Sequence, residues 1–314
     1  MSSSSSSVWA ILAHQHPTAF QAATVRNLSA SLSSLMPVHV VLDATTRRND
    51  SCPSKLRRCV QDDGSAVTRM AAAWRELAEV PVAVATLPAV VAAFPSFADR
   101  SERLATADVG WRTHEYVLLT LRHEQQLPHA DHYWVSESDC FFKGDVSAWV
   151  ERISASYPSE DLLPRSPPAT RGWVHRKQEL ENQPMFLRNH TQAWHMSYEH
   201  VRRFSTRLLD ALFTLLAVDA YIWGEALAPT TCRTVAIFSC SIGSEAANEV
   251  EGWPIDRWRS LSNPRNPAAR YRALAPVPVF AELRSGRWYH GVPMGSTVYL
   301  PPRPKSRPPR GPSG

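Results

Sequence analysis

Apolar positions along the chain follow two alternating rhythms. Val8 to Ala13 and Val38 to Leu42 are unbroken apolar runs of strand length, and between them Phe20, Ala23, Leu28, Leu32 and Leu35 recur at helical spacing. That spacing predicts a helix over 19–35, opened by Thr18 and stopped by Pro37. Strand, helix and strand at this length make a βαβ unit, which requires a parallel sheet with right-handed crossovers. A helix over 67–79 and a strand over 80–86 follow, then an irregular stretch at 88–100. A long helix is expected over 108–126, where Trp111, His114, Val117, Leu118 and Leu121 share a face. The aromatic, β-branched run His132 to Val135 then reads as a buried strand.

The second half is less regular. A helix is expected to begin at 146–153, and 154–188, with five prolines, reads as a loop-rich insertion. His195 to Val218 reads as helical, with Ser205 a second cap and Leu208, Leu209, Leu212, Leu215 and Leu216 a stripe. A Trp223-Gly224-Glu225 turn, a strand at 235–239, irregular chain at 245–278 and a late strand at 277–283 complete the pattern. The expected fold is α/β, a mostly parallel central sheet flanked by helices with a loop-rich C-terminal half. One domain, 8–295, divides near 150. A disordered polyserine stretch, 1–7, precedes it and a disordered Pro/Arg-rich tail, 296–314, follows.

Composition narrows the classes. With 314 residues, 44% hydrophobic and 20% charged, the chain can bury a sizeable core and is not globally disordered. A net charge of +5 suits an anionic ligand but is too small and too spread to require nucleic acid. The eleven tryptophans are expected mostly in the core, with Trp173 and Trp223 as candidate sugar platforms. No stretch is long and apolar enough for a transmembrane helix, and the polyserine start is not a signal peptide. The chain is therefore expected to be soluble or to be anchored from an upstream segment. None of the five cysteines has zinc-site spacing; Cys52 and Cys59 could close a small disulfide loop, or all five could be free thiols. Asn27, Asn49 and Asn189 each begin an N-glycosylation pattern, which matters only for a secreted protein.

The candidate chemistry centres on 131–145. The apolar strand there runs straight into Glu137-Ser138-Asp139. Two carboxylates in so apolar a neighbourhood repel each other and are costly to desolvate, and a divalent cation removes both costs. The plainer alternative is a pair of surface acids in a turn. Asp43 ends the second strand, where an acid can accept from a ribose hydroxyl or simply form a turn before Thr45. Glu225 and His290 are further candidates, as proton acceptor and imidazole ligand. His14 and His16, after the first strand, read as nucleotide contacts or loop residues.

Tyr133 to Asp145 resembles the acidic-motif segment of GT-A-type glycosyltransferases, in the form found in algal and fungal proteins. Arg207-Leu208-Leu209 through Glu225 to Cys232 and His290-Gly291-Val292-Pro293 are similar to that group's later blocks. The resemblance implies a GT-A-like, Rossmann-like fold, with a nucleotide-binding half over 8–150 and an acceptor half over 151–295. It implies Mn2+ or Mg2+ held by Asp139, Glu137 and His290, and Glu225 as the acceptor-side base. It places Asp43, Glu137, Lys143 and Trp223 against the nucleotide sugar. Partners would be a nucleotide-sugar donor and a glycan or protein acceptor, with no nucleic acid, in the Golgi or secretory lumen. The chain departs from the pattern after His290, where Gly291 replaces a proline and a following lysine is absent; Lys143 and Arg287 could restore the positive charge. The rivals are an inactive scaffold on the same fold and a nucleic-acid binder using the tail.

Overall fold

A computed structural model describes residues 6–14, 16–45, 65–97, 114–165, 194–195, 197–220, 224–240 and 287–289. Its strands are β1 (Ser7–Ala13), β2 (Val38–Ala44), β3 (Val82–Thr86), β4 (His132–Glu137), β5 (Phe141–Lys143), β6 (Leu162–Arg165), β7 (Tyr198–Ser205) and β8 (Arg287–Tyr289). Its longer helices are α1 (Ala19–Leu32), α2 (Ser65–Ala78), α3 (Leu87–Ala93), α4 (His114–His123), α5 (Val146–Ser156), α6 (Thr206–Ala217) and α7 (Gly224–Thr234). Six strands form one mixed sheet in the order β3-β2-β1-β4-β7-β6. The first four are parallel; β7 runs antiparallel to β4, and β6 antiparallel to β7. The expected α/β architecture with a mostly parallel, helix-flanked sheet is present.

Both faces of the sheet are covered, which is why its inner strands read as continuous apolar runs rather than alternating ones. Val8, Ala10, Leu12, Tyr133 and Val135 face a core shared with α3, α4, α6 and α7. Trp9, Ile11, Val40, Leu42 and Trp134 face the other, shared with α1, α2 and α5. On this second side Trp9 stacks on Trp134 at 5.3 Å and on Trp288 at 5.4 Å. Each such pair adds roughly 0.5–1.5 kcal/mol beyond area burial. The stack draws β8, from near the chain's end, onto the first strand of the fold. α1 starts in a capping box: the Thr18 hydroxyl accepts from the Gln21 amide at 3.2 Å, and Gln21 Oε1 accepts from the Thr18 amide at 3.0 Å.

Several expectations are corrected. Residues 198–205 are strand β7, not the first half of a helix; the helix starts only at Thr206, with the Ser205 hydroxyl accepting from Leu208 N at 3.0 Å. Pairing to β4 on one side and β6 on the other overrides local propensity there. β6 itself lies inside the stretch expected to be loop. The irregular stretch at 88–100 begins as α3, capped by Thr86 and with Pro88 in its first turn, where proline fits. The Trp223-Gly224-Glu225 turn gives way to α7, which runs through Pro229. No strand forms at 235–239: Cys232 is disulfide-bonded to Cys240 with Cα atoms 6.0 Å apart, which closes that stretch into a loop. Five free thiols are therefore ruled out; Cys140 is buried and not disulfide-bonded, while Cys52 and Cys59 lie outside the described residues. The strand expected at 277–283, Trp173 and the tail also lie outside them.

Candidate metal centre

β4 delivers the acidic motif to the C-terminal edge of the sheet. Glu137 is the register partner of Leu12, and the ladder continues one step as Ser138 N donates to Leu12 O at 2.9 Å. The chain then turns: Cys140 N donates to Glu137 O at 3.1 Å, and β5 leaves in a new direction. Glu137 and Asp139 are therefore gathered by a turn rather than aligned along extended chain. The turn is tighter in effect, because it brings in a third donor. Ligand atoms of Glu137, Asp139 and Cys140 all lie within 4.8 Å of one another. Both carboxylates are half-buried and the Cys140 thiol is buried.

Neighbouring elements hold this turn. Ser138 Oγ, buried, lies 3.5 Å from Gln21 Nε2, so the residue that caps α1 also touches the motif. Ser136 Oγ accepts from Trp9 Nε1 at 2.9 Å. β5 pairs antiparallel with β8, Phe141 opposite Tyr289 and Lys143 opposite Arg287. The two cationic positions of that ladder are thus cross-strand partners beside the motif. Two carboxylates and a thiol this close fit a divalent cation, since carboxylate oxygens suit Mn2+ and Mg2+ and a thiolate widens the choice toward softer ions.

Asp43 stands at the C-terminal end of β2, 5% exposed. Its Oδ1 accepts from Thr45 N at 2.8 Å and Thr45 Oγ1 at 2.6 Å, which is the turn-forming role. Its Oδ2 is buried with no partner among the described residues, and a buried carboxylate oxygen without a donor is rare enough to need a cause. Asp43 and Glu137 share sheet parity with Val41 and Val135 and so face the α4 side.

On that side sit three ionisable groups that sequence reasoning missed as site residues. His114 and Glu115 open α4 and Arg202 projects from β7; Arg202 Nη2 and Glu115 Oε1 pair at 3.1 Å, both almost fully buried. Burial holds His114 below the ordinary histidine value, opposed by the charges of Glu137 and Glu115, reinforced by Arg202, and opposed again by Asp43. Acids from β2 and β4 and a helix start therefore meet at one edge of the sheet. His114 had been legible only as part of a helical stripe, and Arg202 lay in a segment read as helix.

The remaining candidates divide. Lys143 is in β5, half-buried. His14 and His16 are exposed beyond β1. Glu225 is the second residue of α7, but its side chain, with Trp223 and His290, lies outside the described residues. α7 packs on α6, β6 and β7, and the Thr230 hydroxyl both accepts from His195 N at 2.9 Å and donates to His195 O at 3.2 Å. Among the described residues, no helix is long and apolar enough to cross a membrane.

No protein-family model and no curated protein sequence matches the chain. Among solved structures it is similar to mouse xyloside xylosyltransferase 1 in its apo form, at 11% identity and TM-score 0.41, covering 95% of this chain and 99% of that one. It is also similar to a mannosyltransferase from Pyrobaculum calidifontis in complex with GDP-Man and Mn2+, at 10% identity and TM-score 0.36, covering 78% of this chain and 56% of that one. A third is core-mannan synthase A from Aspergillus fumigatus in its Mn/GDP form, at 8% identity and TM-score 0.37, covering 72% of this chain and 69% of that one. Likeness of this degree bears on neither substrate nor mechanism.

Proposed function

We propose that the protein is a metal-dependent glycosyltransferase of the GT-A type, moving a sugar from a nucleoside-diphosphate donor to a glycan or protein hydroxyl. The observation that carries this reading is the convergence of Glu137, Asp139 and Cys140 within 4.8 Å at the C-terminal edge of the sheet. Ligands of open α/β sheets bind at that edge. Asp139 and Glu137 hold the cation, with Cys140 as a third donor and His290, the residue after β8, as a fourth. When bound, the cation supplies neutralisation of the departing diphosphate.

The chain's own groups do the rest. Lys143, in the strand that leaves the motif, lies against the diphosphate. Asp43 keeps one oxygen for its Thr45 turn and offers the other to a ribose hydroxyl. Trp223 stacks on the donor sugar. Glu225, at the start of α7, takes the proton from the acceptor hydroxyl, which makes the transfer inverting. The Cys232–Cys240 disulfide favours an oxidising compartment such as the Golgi or secretory lumen.

The test is a panel of UDP- and GDP-sugars incubated with the protein and manganese, with release of nucleoside diphosphate as the readout. The reading expects turnover of at least one donor that stops with EDTA. Glu225→Gln should abolish transfer to the acceptor while leaving donor affinity within about twofold, because a general base acts in the chemical step and not in donor binding. Turnover that survives EDTA would overturn it.

A further inference from the structure

A cavity of about 650 Å³ opens between the C-terminal half of α4, the loop before β4 and the exposed side of α6. It is remote from the acidic turn along the sheet: Tyr133, which lines it, is the second residue of β4, and Glu137 is the last. Its volume falls within the range of small-molecule sites, roughly 300–1,000 Å³.

The lining has a particular chemistry. Its two permanent charges, Arg122 and Asp210, meet at 2.6 Å and cancel. That leaves no net charge to draw a phosphate, an ammonium or a metal ion. The Arg122 guanidinium lies 5.8 Å from the Tyr133 ring, and its Nε is buried without a partner among the described residues. Asp210 is 60% exposed and uses only one carboxylate oxygen. The exposed Gln125 side chain adds an amide donor and acceptor. His123 lines the cavity, is exposed, and stacks on Phe213 at 5.1 Å. The Tyr133 hydroxyl gives its proton to Pro128 O at 2.8 Å, so it can offer a ligand an acceptor but no donor.

Donors and acceptors in balance, no net charge and a flat ring on an exposed residue are complementary to a sugar. Each sugar hydroxyl both donates and accepts, and the C–H face of the ring packs on an aromatic plane. We propose that this cavity binds a neutral saccharide of one or two units, at a site separate from the acidic turn. The inference does not depend on the transferase reading. A protein with no enzymatic activity would bind the saccharide equally well.

Saturation-transfer NMR on the full chain tests it, with maltose, cellobiose, lactose and xylobiose as probes and inorganic phosphate as competitor. At least one disaccharide should give a saturable signal, with the same affinity in manganese and in EDTA. Asp210→Ala should weaken it at least about tenfold, the effect of losing one charge-assisted hydrogen bond. His123→Ala, also at an exposed position, should weaken it too, and both variants should keep the wild-type circular dichroism. The proposal fails if no probe binds, if phosphate displaces the sugar, if EDTA abolishes binding, or if both folded variants bind as wild type does.

Discussion

Phe141 is paired with Tyr289 across the β5–β8 ladder, so a stretch near the end of the chain is hydrogen-bonded to the strand that leaves the acidic turn. Asp139 lies two residues before Phe141, and His290 directly follows Tyr289. The strand that leaves the acidic motif and β8 are thus neighbours through a backbone ladder. Trp288, in the middle of that ladder, is buried against Trp9, Trp149 and Phe142.

Trp288→Ala should remove this anchor. Loss of a buried tryptophan costs about 3–5 kcal/mol in a core that cannot collapse. Urea denaturation should show a fall of that order. Manganese affinity should fall as well, because β5 would no longer be held. A variant with unchanged urea midpoint would show that β8 is not seated on the tryptophan stack.

The Arg202–Glu115 pair has almost no solvent contact. Glu115→Ala would take the carboxylate away from a buried guanidinium, at a cost of about 3–5 kcal/mol. The double variant Glu115→Leu, Arg202→Met removes both charges and should recover most of that loss. The check is a double-mutant cycle by chemical denaturation. Additive effects would show that the two charges do not meet.

Asp161 predicts an acid limit. Burial alone would raise its pKa, but hydrogen bonds from the Arg207 guanidinium, the Ser205 hydroxyl and Ser239 N outweigh burial and hold it below the ordinary carboxylate value. A depressed carboxylate stabilises the fold fully above the unfolded value of about 3.9, and that stabilisation is lost as pH falls through the lower folded value. The stability of Asp161→Asn should therefore depend less on pH than that of wild type below about pH 4, while lying below wild type at neutral pH. Parallel pH profiles for the two proteins would contradict this role.

What could be read in the sequence followed from burial on both sides. β1, β2 and β4 carry apolar runs that do not alternate because helices cover both faces, and their boundaries came within two residues of those observed. β7 was not legible, because its two arginines are buried. Arg202 is paired with Glu115, and Arg203 with backbone carbonyls of Tyr157 and Glu160 and with the Trp134 ring at 5.7 Å, with burial pulling its pKa down to about 10. Partners so distant in sequence leave no periodic trace, and adjacent cations in a leucine-rich region read as a helix surface. The acids of the site were legible as residue types at a strand end. Cys140 was not, because its convergence with Glu137 and Asp139 comes from a turn that only tertiary structure reveals. His114 and Glu115 were missed because a helix start under the sheet edge carries no signature beyond the helix itself.

The central claim is that residues 137, 139 and 140 hold a divalent cation that binds nucleoside diphosphate. The most direct measurement is Mn2+ binding by electron paramagnetic resonance, with and without UDP or GDP, for wild type and Asp139→Asn. The account predicts one bound Mn2+ per chain, tightened at least about tenfold by one of the nucleotides, and loss of both effects in Asp139→Asn, since removal of a carboxylate ligand takes away charge as well as coordination. Manganese binding that is equal in the two proteins, or absent from wild type, would contradict it.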